Sequence, residues 1–446
     1  MAPGFVALSG RRLASSGTWS IAVVGFVWVL GTAAVALKPA GRHWLREQRF
    51  KLLAVVVSSL LSFLLLGEVA VRAIEKRDED GNVVVRARQL HPFRVPVKVS
   101  EKKLARHGTE SWTSLVADPE LGWAPTPSHG PPYAFDRSGI RVADPSTNYA
   151  EKPSGSALRV ALFGDSFTNG IGVSQPETWA AELERQSPSG RLEVLNFGVP
   201  AYGMDQAFLR YRKTGRRFQP DVVVFGLQLE NVARNVNVMR PFYANTTDVP
   251  LTKPFFALEG GSLRLLNSPT VPPDRIAATL RTFEDWPLAR YERYYDPADY
   301  RARFWHASHL VTLAIDSTAS VLSDLKPRET PSATIDLALR ILHTFEQEAT
   351  RDGARFLVFH LPIRVELVAA LEGKPSPYAA ERAAIFREFP VIESLEALKQ
   401  AAGAHGVPAL FNESMHYSPP ANRAVASALV PSLLALPEPV RAARMP

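Results

Sequence analysis

Residues 158–170 read LRVALFGDSFTNG, and this stretch decides the fold. The apolar-rich segment LRVALF is typical of a strand buried in the centre of a sheet. Gly164 ends that strand, and Asp165 and Ser166 follow at its carboxyl end, the edge where open α/β sheets hold their ligands. The stretch therefore predicts a serine hydroxyl presented in a crevice. Because Asp and Ser are also ordinary turn and N-cap residues, the stretch alone leaves a simple capped turn open.

Strand and helix patterns alternate after this stretch. Strands are predicted at 192–198, 221–226, 355–362 and 407–411, and helices at 177–185, 204–216, 332–350, in stretches up to 402, and at 419–436. This alternation predicts an α/β protein, a three-layer α/β/α sandwich with a mostly parallel sheet, over residues 158–436. Residues 240–332 interrupt it with prolines and aromatics and predict a largely helical, loop-rich insertion. Residues 75–157 predict a linker and lead-in, with an accessory hairpin at 133–142.

Composition excludes several classes of protein. The 446 residues include no cysteine, so disulfides, thiolate metal sites and cysteine nucleophiles are absent. The net charge is +7, but residues 1–51 alone carry seven Lys or Arg against one Glu. The rest of the chain is nearly neutral, which argues against a nucleic-acid surface. His306 and His309 lack a nearby third ligand, and GDSFTNGIG matches no nucleotide-binding loop, so neither a metal nor a cofactor is expected.

Two apolar stretches near the N-terminus predict two transmembrane helices, at about 19–37 and 52–71, with Glu68 at the interface. The segment between them, 38–51, is rich in Lys and Arg, and the positive-inside rule places it in the cytoplasm. Residues 1–74 are thus predicted to be an integral membrane anchor with an extracytoplasmic body. A signal peptide cleaved near Ala34-Val35-Ala36, or a cytoplasmic body, are the alternatives.

Four residues fall at predicted strand ends: Ser166, Gly198, Asn231 and His416. They stand in the segments GDSF (164–167), NFGVPAYG (196–203), GLQLEN (226–231) and ESMHYSPPANRAVA (413–426). In this order they resemble the four blocks of the SGNH, or GDSL-like, serine hydrolase superfamily, over roughly 158–239 and 405–430. The sequence departs from that pattern twice. Val232 follows Asn231 where the family usually has Asp, and Glu413 stands where the family usually has Asp three residues before the histidine.

The resemblance implies a role for each matching residue. Ser166 would be the nucleophile and His416 its general base, since a serine hydroxyl is weakly nucleophilic until a base takes its proton. Glu413 would orient the imidazole from its other nitrogen, whereas the adjacent Asn412 would supply no charge. The oxyanion hole would combine the Ser166 N–H, the Gly198 N–H and the Asn231 amide.

Other polar residues near these segments have simpler interpretations. Asp165 and His360 are predicted to be structural. Arg234, Asn235 and Asn237 either contact substrate or form a solvated helix end. Thr168 stands where a nucleophile elbow needs its second glycine, which disfavours an α/β-hydrolase.

The predicted function is therefore that of a membrane-anchored serine ester hydrolase that forms an acyl-serine intermediate. Its substrate would be an extracytoplasmic acylated small molecule or glycan, such as a cell-surface glycan, a prediction that rests on topology and family analogy. Two alternatives stay open: an O-acyltransferase that uses the same site, and a non-catalytic glycan-binding protein on a degenerate fold. The expected partners are the substrate and the membrane, with no nucleic acid, and the sequence leaves the oligomeric state open.

Overall fold

The computed structural model describes residues 39–106, 115–127, 133–153, 155–245, 247–324 and 330–437. They divide into two compact units. The first takes the described residues of Met1–Val99, Pro241–Thr247 and Tyr295–Lys326, and the second those of Ser100–Arg240, Asp248–Tyr294 and Pro327–Pro446. This division differs from the predicted one at 74 and 157, because the lead-in and the insertion each contribute to both units.

Short strands dominate before residue 150 and longer ones follow. The strands are β1 (Lys76–Arg77), β2 (Val83–Val85), β3 (Arg88–Gln89), β4 (Leu115–Asp118), β5 (Gly122–Pro125), β6 (Ala134–Phe135), β7 (Arg141–Val142), β8 (Leu158–Phe163), β9 (Leu192–Asn196), β10 (Val222–Leu227), β11 (Phe255–Glu259), β12 (Ser262–Leu266), β13 (Arg355–His360) and β14 (Val391–Glu393). The α-helices are α1 (Pro39–Ile74), α2 (Val97–Arg106), α3 (Ser166–Asn169), α4 (Trp179–Arg185), α5 (Met204–Lys213), α6 (Asn231–Arg234), α7 (Arg240–Tyr243), α8 (Pro273–Arg281), α9 (Pro297–Tyr300), α10 (His309–Asp324), α11 (Ser332–Arg351), α12 (Arg364–Leu371), α13 (Ala379–Glu388), α14 (Leu395–His405) and α15 (Pro419–Leu434).

The second unit is built on a seven-stranded sheet in the order β14-β13-β10-β8-β9-β7-β6. The five strands from β14 to β9 are parallel, and the hairpin β6–β7 adds to the edge through an antiparallel pairing of Arg141 with Asn196. The predicted α/β class with a mostly parallel sheet is confirmed. The hairpin predicted at 133–142 also forms, and it belongs to the main sheet because its second strand pairs with β9.

Alternate residues of β8 explain why helices cover both faces of this sheet, since successive side chains of a strand point to opposite sides. Val160 and Leu162 join a buried cluster with Trp179 of α4 and with residues of α14 and α15. On the other face, the Phe163 ring packs edge-on against Phe345 of α11, 5.8 Å between centroids. All six residues of β8 are buried, so the strand that precedes Ser166 is held between two helical layers.

Two elements of the second half differ from the prediction. Residues 407–411 were predicted to be the last strand, but Val407–Leu410 form a 3₁₀ turn, because Pro408 lacks the N–H that a sheet ladder needs. The last strand is instead β14, which lies within a stretch predicted to be helical. The insertion also contains the antiparallel hairpin β11–β12 besides its predicted helices.

The first unit contains the segment predicted to anchor the chain. Helix α1 begins at Pro39, so the described part of the basic segment is helical rather than a loop. Within α1, Leu53–Ile74 is the one stretch in the described chain that is long and apolar enough to cross a membrane, with a mean hydropathy of 2.2. It corresponds to the predicted second span. The predicted first span, residues 19–37, lies outside the described residues.

Candidate active site

Ser166 lies at the first position of α3, directly after β8. The Asp165 side chain caps this helix by accepting a hydrogen bond from the Phe167 N–H at 2.9 Å. At the C-terminal end of α3, Gly170 adopts φ +85°, a left-handed conformation that favours glycine. The strand, the cap and the glycine together turn the chain sharply, and the Ser166 hydroxyl lies at the carboxyl edge of the parallel sheet.

His416 lies 250 residues later in the chain, yet its Nε2 atom is 2.8 Å from the Ser166 Oγ atom. The histidine is held in a tight turn whose ends, Phe411 and Tyr417, form an antiparallel bridge. Within the turn, the Asn412 N–H donates to the His416 carbonyl at 2.9 Å. The Phe167 ring packs against the imidazole with 4.7 Å between centroids. The sequence-predicted nucleophile and base are therefore brought within hydrogen-bond distance.

The other imidazole nitrogen contacts Ser414 rather than a carboxylate. His416 Nδ1 lies 2.9 Å from the Ser414 carbonyl oxygen and 3.1 Å from the Ser414 hydroxyl. A carbonyl accepts but does not donate, so Nδ1 carries the proton and Nε2 is free to accept one from Ser166. Glu413 was predicted to orient the imidazole, but its side chain is exposed and the orienting acceptor is the backbone of Ser414. This part of the prediction is corrected.

Burial lowers the pKa of His416 to about 4. The Ser414 carbonyl works in the opposite direction by accepting the Nδ1 hydrogen bond, and the positive charge of Arg234 lowers the pKa further. An imidazole that is partly shielded from water and has no carboxylate partner disfavours its charged form. His416 is therefore neutral at physiological pH, as a general base must be before it takes a proton.

The Asn231 side chain is held beside the site by a hydrogen bond to Asp165. Its Nδ2 atom donates to Asp165 Oδ2 at 3.1 Å, so the amide lies beside the residue that precedes the serine. A primary amide has two N–H donors, and only one is used by this contact. Within the described residues, the buried Asn231 Oδ1 has no hydrogen-bond partner. The second amide N–H and the Ser166 N–H, which has no intrahelical acceptor at the first position of α3, are thus candidate oxyanion donors.

The structure gives Gly198 a different role from the predicted one. Its N–H was predicted to face the oxyanion, but it donates to Asn196 Oδ1 at 3.0 Å. A Cβ atom at Gly198 would lie 2.5 Å from the Asn169 nitrogen and 2.7 Å from the Thr168 carbonyl carbon. Gly198 is therefore required for the close approach of this loop to α3, and its N–H is already engaged.

Three residues to which the sequence interpretation gave no role hold these segments together. Arg141, on the edge hairpin, donates to the carbonyls of Asn169 and Gly170 at 2.6 and 2.8 Å, and to that of Val173. Asn196 donates to the Thr168 carbonyl at 2.8 Å. Each side chain links α3, or the turn after it, to a neighbouring strand. Arg141 lay in a region predicted to be a lead-in, and Asn196 stands in the NFGVPAYG segment, where only Gly198 was given a role.

Asn412, the third of these residues, joins the two halves of the site. Its Oδ1 atom accepts the Ser414 hydroxyl at 2.7 Å and the His416 N–H at 3.1 Å. Its Nδ2 atom donates to the Ile171 carbonyl at 3.1 Å, in the turn that follows the serine helix. The sequence interpretation noted only that Asn412 supplies no charge, whereas the structure uses its amide to position the histidine turn.

Asp165 and Arg234 form an ion pair beside the helix that carries the serine. Asp165 Oδ2 lies 3.3 Å from Arg234 Nη1, which also donates to the Tyr202 carbonyl at 3.1 Å. Burial raises the pKa of Asp165, and the Arg234 charge and the Phe167 N–H oppose that rise. Asp165 thus has the structural role predicted for it. Its Oδ1 atom binds α3, and its Oδ2 atom binds α6.

The remaining candidates lie in structural contacts. Asn235 Oδ1 accepts the Asp205 N–H at 3.4 Å, and Asn237 donates to the Met239 carbonyl at 2.9 Å, so both are buried rather than solvated. His360 is buried between Glu366 and Glu393, each 3.3 Å away. Burial works to lower its pKa, but the two carboxylates raise it above the ordinary value. No group of three possible metal ligands occurs in the described chain.

Comparison with known proteins gives similarity to solved structures only. No family model matches the chain, and no curated protein matches it. The chain is similar to a lipolytic protein of the G-D-S-L family from Desulfitobacterium hafniense, with 10% identity over 61% of this chain and 98% of that one and a TM-score of 0.31. It is also similar to an acetyl xylan esterase, with 11% identity over 62% and 99% and a TM-score of 0.32.

A further similar structure is an acetylxylan esterase from Geobacillus stearothermophilus, with 11% identity over 63% of this chain and 95% of that one and a TM-score of 0.33. These solved structures include the GDSL type that the sequence motifs resemble.

Proposed function

We propose that this protein is a membrane-anchored serine ester hydrolase that acts through a covalent acyl-Ser166 intermediate. The observation that carries the proposal is the 2.8 Å contact between Ser166 Oγ and His416 Nε2 at the carboxyl edge of the parallel sheet. A hydroxyl paired with a neutral imidazole, whose far nitrogen is held by an acceptor, is the arrangement that activates serine for acyl transfer.

The reaction has two halves. His416 Nε2 takes the Ser166 proton as Oγ attacks the ester carbonyl, and the Ser166 N–H and the Asn231 amide stabilise the resulting oxyanion. The alcohol then leaves with the proton returned from Nε2, and the acyl group stays on Ser166. Water attacks this acyl-serine with His416 again as base, which releases the carboxylic acid and restores the hydroxyl. No step needs a cofactor or a metal.

The cellular setting of the proposal comes from α1. Residues Leu53–Ile74 would cross the bilayer, with the basic residues of 38–51 on the cytoplasmic side and the catalytic unit outside the cytoplasm. An extracytoplasmic body suits an acylated cell-surface glycan as substrate. Acetylated oligosaccharides are therefore the substrates to assay after a simple activated ester.

Turnover of p-nitrophenyl acetate by the full chain in vesicles tests the proposal. We expect Ser166→Ala and His416→Ala to remove turnover, while Ser427→Ala and His405→Ala, matched changes at exposed positions, keep it. Turnover that survives Ser166→Ala would show that another group carries the reaction. A folded wild-type protein without turnover would favour the alternative of a non-catalytic glycan-binding protein.

The second alternative, an O-acyltransferase, uses the same acyl-serine. It differs only in whether a sugar hydroxyl or water reaches that intermediate. Adding an oligosaccharide to the assay separates the two activities. Hydrolysis that continues unchanged supports the esterase, whereas acylated oligosaccharide that forms faster than free acid indicates the transferase.

A further inference from the structure

Helix α10 in the first unit has an unusual distribution of side chains. Across its apolar part, His309–Leu322, the exposed positions are Ala314, Ile315, Thr318, Ala319, Val321 and Leu322. None carries a charge, and Ile315 and Leu322 are 44% and 56% exposed. A helix on the surface of a water-soluble protein normally turns its polar residues outward. The outer face of α10 is therefore suited to an apolar environment.

Two polar residues of α10, Thr312 and Asp316, lie on its inner side. The Asp316 carboxylate accepts the backbone N–H of His91 at 3.1 Å, and its other oxygen lies 2.9 Å from His91 Nδ1. Thr312 is buried. Leu310 and Leu313 pack against a small cluster that includes Val71 of α1. Helix α10 is thus packed firmly within its unit. Its outer face is therefore exposed although the helix is well attached.

Contacts with Glu68 relate α10 to the apolar stretch of α1. The Glu68 carboxylate accepts the backbone N–H groups of His309 and Leu310 at 3.0 and 2.8 Å, and the Ser308 hydroxyl at 2.8 Å. Glu68 precedes Ile74, the end of the apolar stretch, by six residues, or about 9 Å along the helix axis. The first turn of α10 therefore begins beside the apolar stretch rather than beyond it.

The contact between Glu68 and the first turn of α10 meets a requirement of the hydrocarbon interior of a bilayer. Backbone N–H groups at a helix end must be bonded when no water is available, and a carboxylate within an apolar helix must have partners. Glu68 satisfies both needs at once. A Cβ atom at Gly67 would lie 2.8 Å from Leu310 Cδ2, so the two helices approach closely at this point. Phe304, 87% exposed just before α10, adds a large apolar side chain of the kind that interfacial segments bury in a bilayer.

We propose that α10 is an interfacial helix whose outer face, Ala314, Ile315, Thr318, Ala319, Val321 and Leu322, lies in the headgroup and upper acyl region of the phospholipid bilayer that α1 crosses. At 14 residues, His309–Leu322 is too short to span a bilayer and is long enough to lie along its surface. The inference rests on the membrane anchor of the proposed function. It adds a second membrane contact, supplied by the insertion.

The lack of cysteine in the chain allows a direct test, because a single introduced cysteine is the only thiol. An environment-sensitive fluorophore is attached to Ile315→Cys and Leu322→Cys, in the full chain reconstituted into phosphatidylcholine–phosphatidylglycerol vesicles. The same fluorophore at Leu61→Cys reports on the anchor itself, and at Lys374→Cys on water-exposed surface of the second unit. Ala319→Cys serves as a replacement if either test variant fails to fold.

Spin-labelled lipids then measure contact with acyl chains. We expect labels at 315 and 322 to be quenched at least about twofold more than the label at 374, as a helix buried in the interface requires. Quenching at 61 with none at 315 and 322 overturns the inference and leaves the anchor intact. A blue-shifted label at 315 that lipids do not quench also overturns it, since protein rather than lipid then covers the face. Absence of quenching at 61 removes the anchor and this inference together.

Discussion

The low pKa of His416 predicts how the activity depends on pH. Burial holds this pKa at about 4, below the ordinary value of 6.5. Only the neutral imidazole accepts the serine proton, so kcat/KM rises as pH increases through the pKa and then stays level. At pH 5.5 a pKa of about 4 leaves about 97% of the imidazole neutral, against about 9% for an ordinary histidine. The difference is about tenfold in activity at that pH.

The perturbation that tests this reasoning is Glu413→Gln. Because Glu413 is exposed and the Ser414 carbonyl orients the imidazole, we expect kcat/KM to stay within about threefold of wild type and the acidic limb to stay near pH 4. Removal of a true triad carboxylate costs about 10⁴-fold in kcat. The measurement is the pH–rate profile of p-nitrophenyl acetate turnover from pH 3.5 to 8, with His416→Ala as the inactive control.

A converse change completes the test. The Ser414 hydroxyl lies 3.1 Å from His416 Nδ1, so Ser414→Asp would put a carboxylate beside the imidazole. A neighbouring negative charge raises a histidine pKa by about 1–3 units, so the acidic limb should move upward by that amount. The reasoning is refuted if the wild-type limb lies near pH 6.5 to 7 and Glu413→Gln lowers kcat/KM by more than about 10²-fold.

Further changes test the supporting residues. Asn231→Ala removes a proposed oxyanion donor and should lower kcat/KM by about 10²–10³-fold; an unchanged value in steady-state assays would exclude that role. Asn412→Ala releases the histidine turn from the turn after the serine helix. It should lower kcat by about 10²-fold with KM little changed, because a small misplacement of a catalytic group greatly reduces the rate. A change in KM alone would contradict this expectation. Arg141→Ala leaves several carbonyls without their donor and should lower Tm, with a free energy of unfolding reduced by about 3 kcal/mol; an unaltered Tm would show that the clamp is dispensable.

The parts of the fold with a strong local pattern could be predicted from sequence. LRVALF and DVVVFG are rich in apolar residues because both faces of the central strands are covered, and they correspond to β8 and β10. The pairing of strands was harder to predict from the sequence. Nothing local distinguishes β14 from the surrounding helices, since it has three residues and is specified by its place beside β13. The 3₁₀ turn at Val407–Leu410 has a strand-like composition, and Pro408 was the signal against a strand.

In the candidate site, residue identity was predicted better than contact. Ser166 and His416 stand in motifs, and the fold brings them together. The role of Glu413 was inferred from spacing to the histidine, but spacing does not reveal that a backbone carbonyl occupies the position beside Nδ1. Gly198 likewise matches a motif, whereas only the structure shows its N–H bonded to Asn196. Arg141 and Asn412 act through main-chain carbonyls, which carry no sequence signature.

The most direct test of the central claim is labelling by a fluorophosphonate, which reacts with serines activated by a neighbouring base. Mass spectrometry of the labelled full chain should find the adduct on Ser166 in the wild type and in Glu413→Gln, and His416→Ala should lose it. A folded wild-type protein that remains unlabelled, or a Ser166 adduct that forms as fast in His416→Ala, would contradict the account.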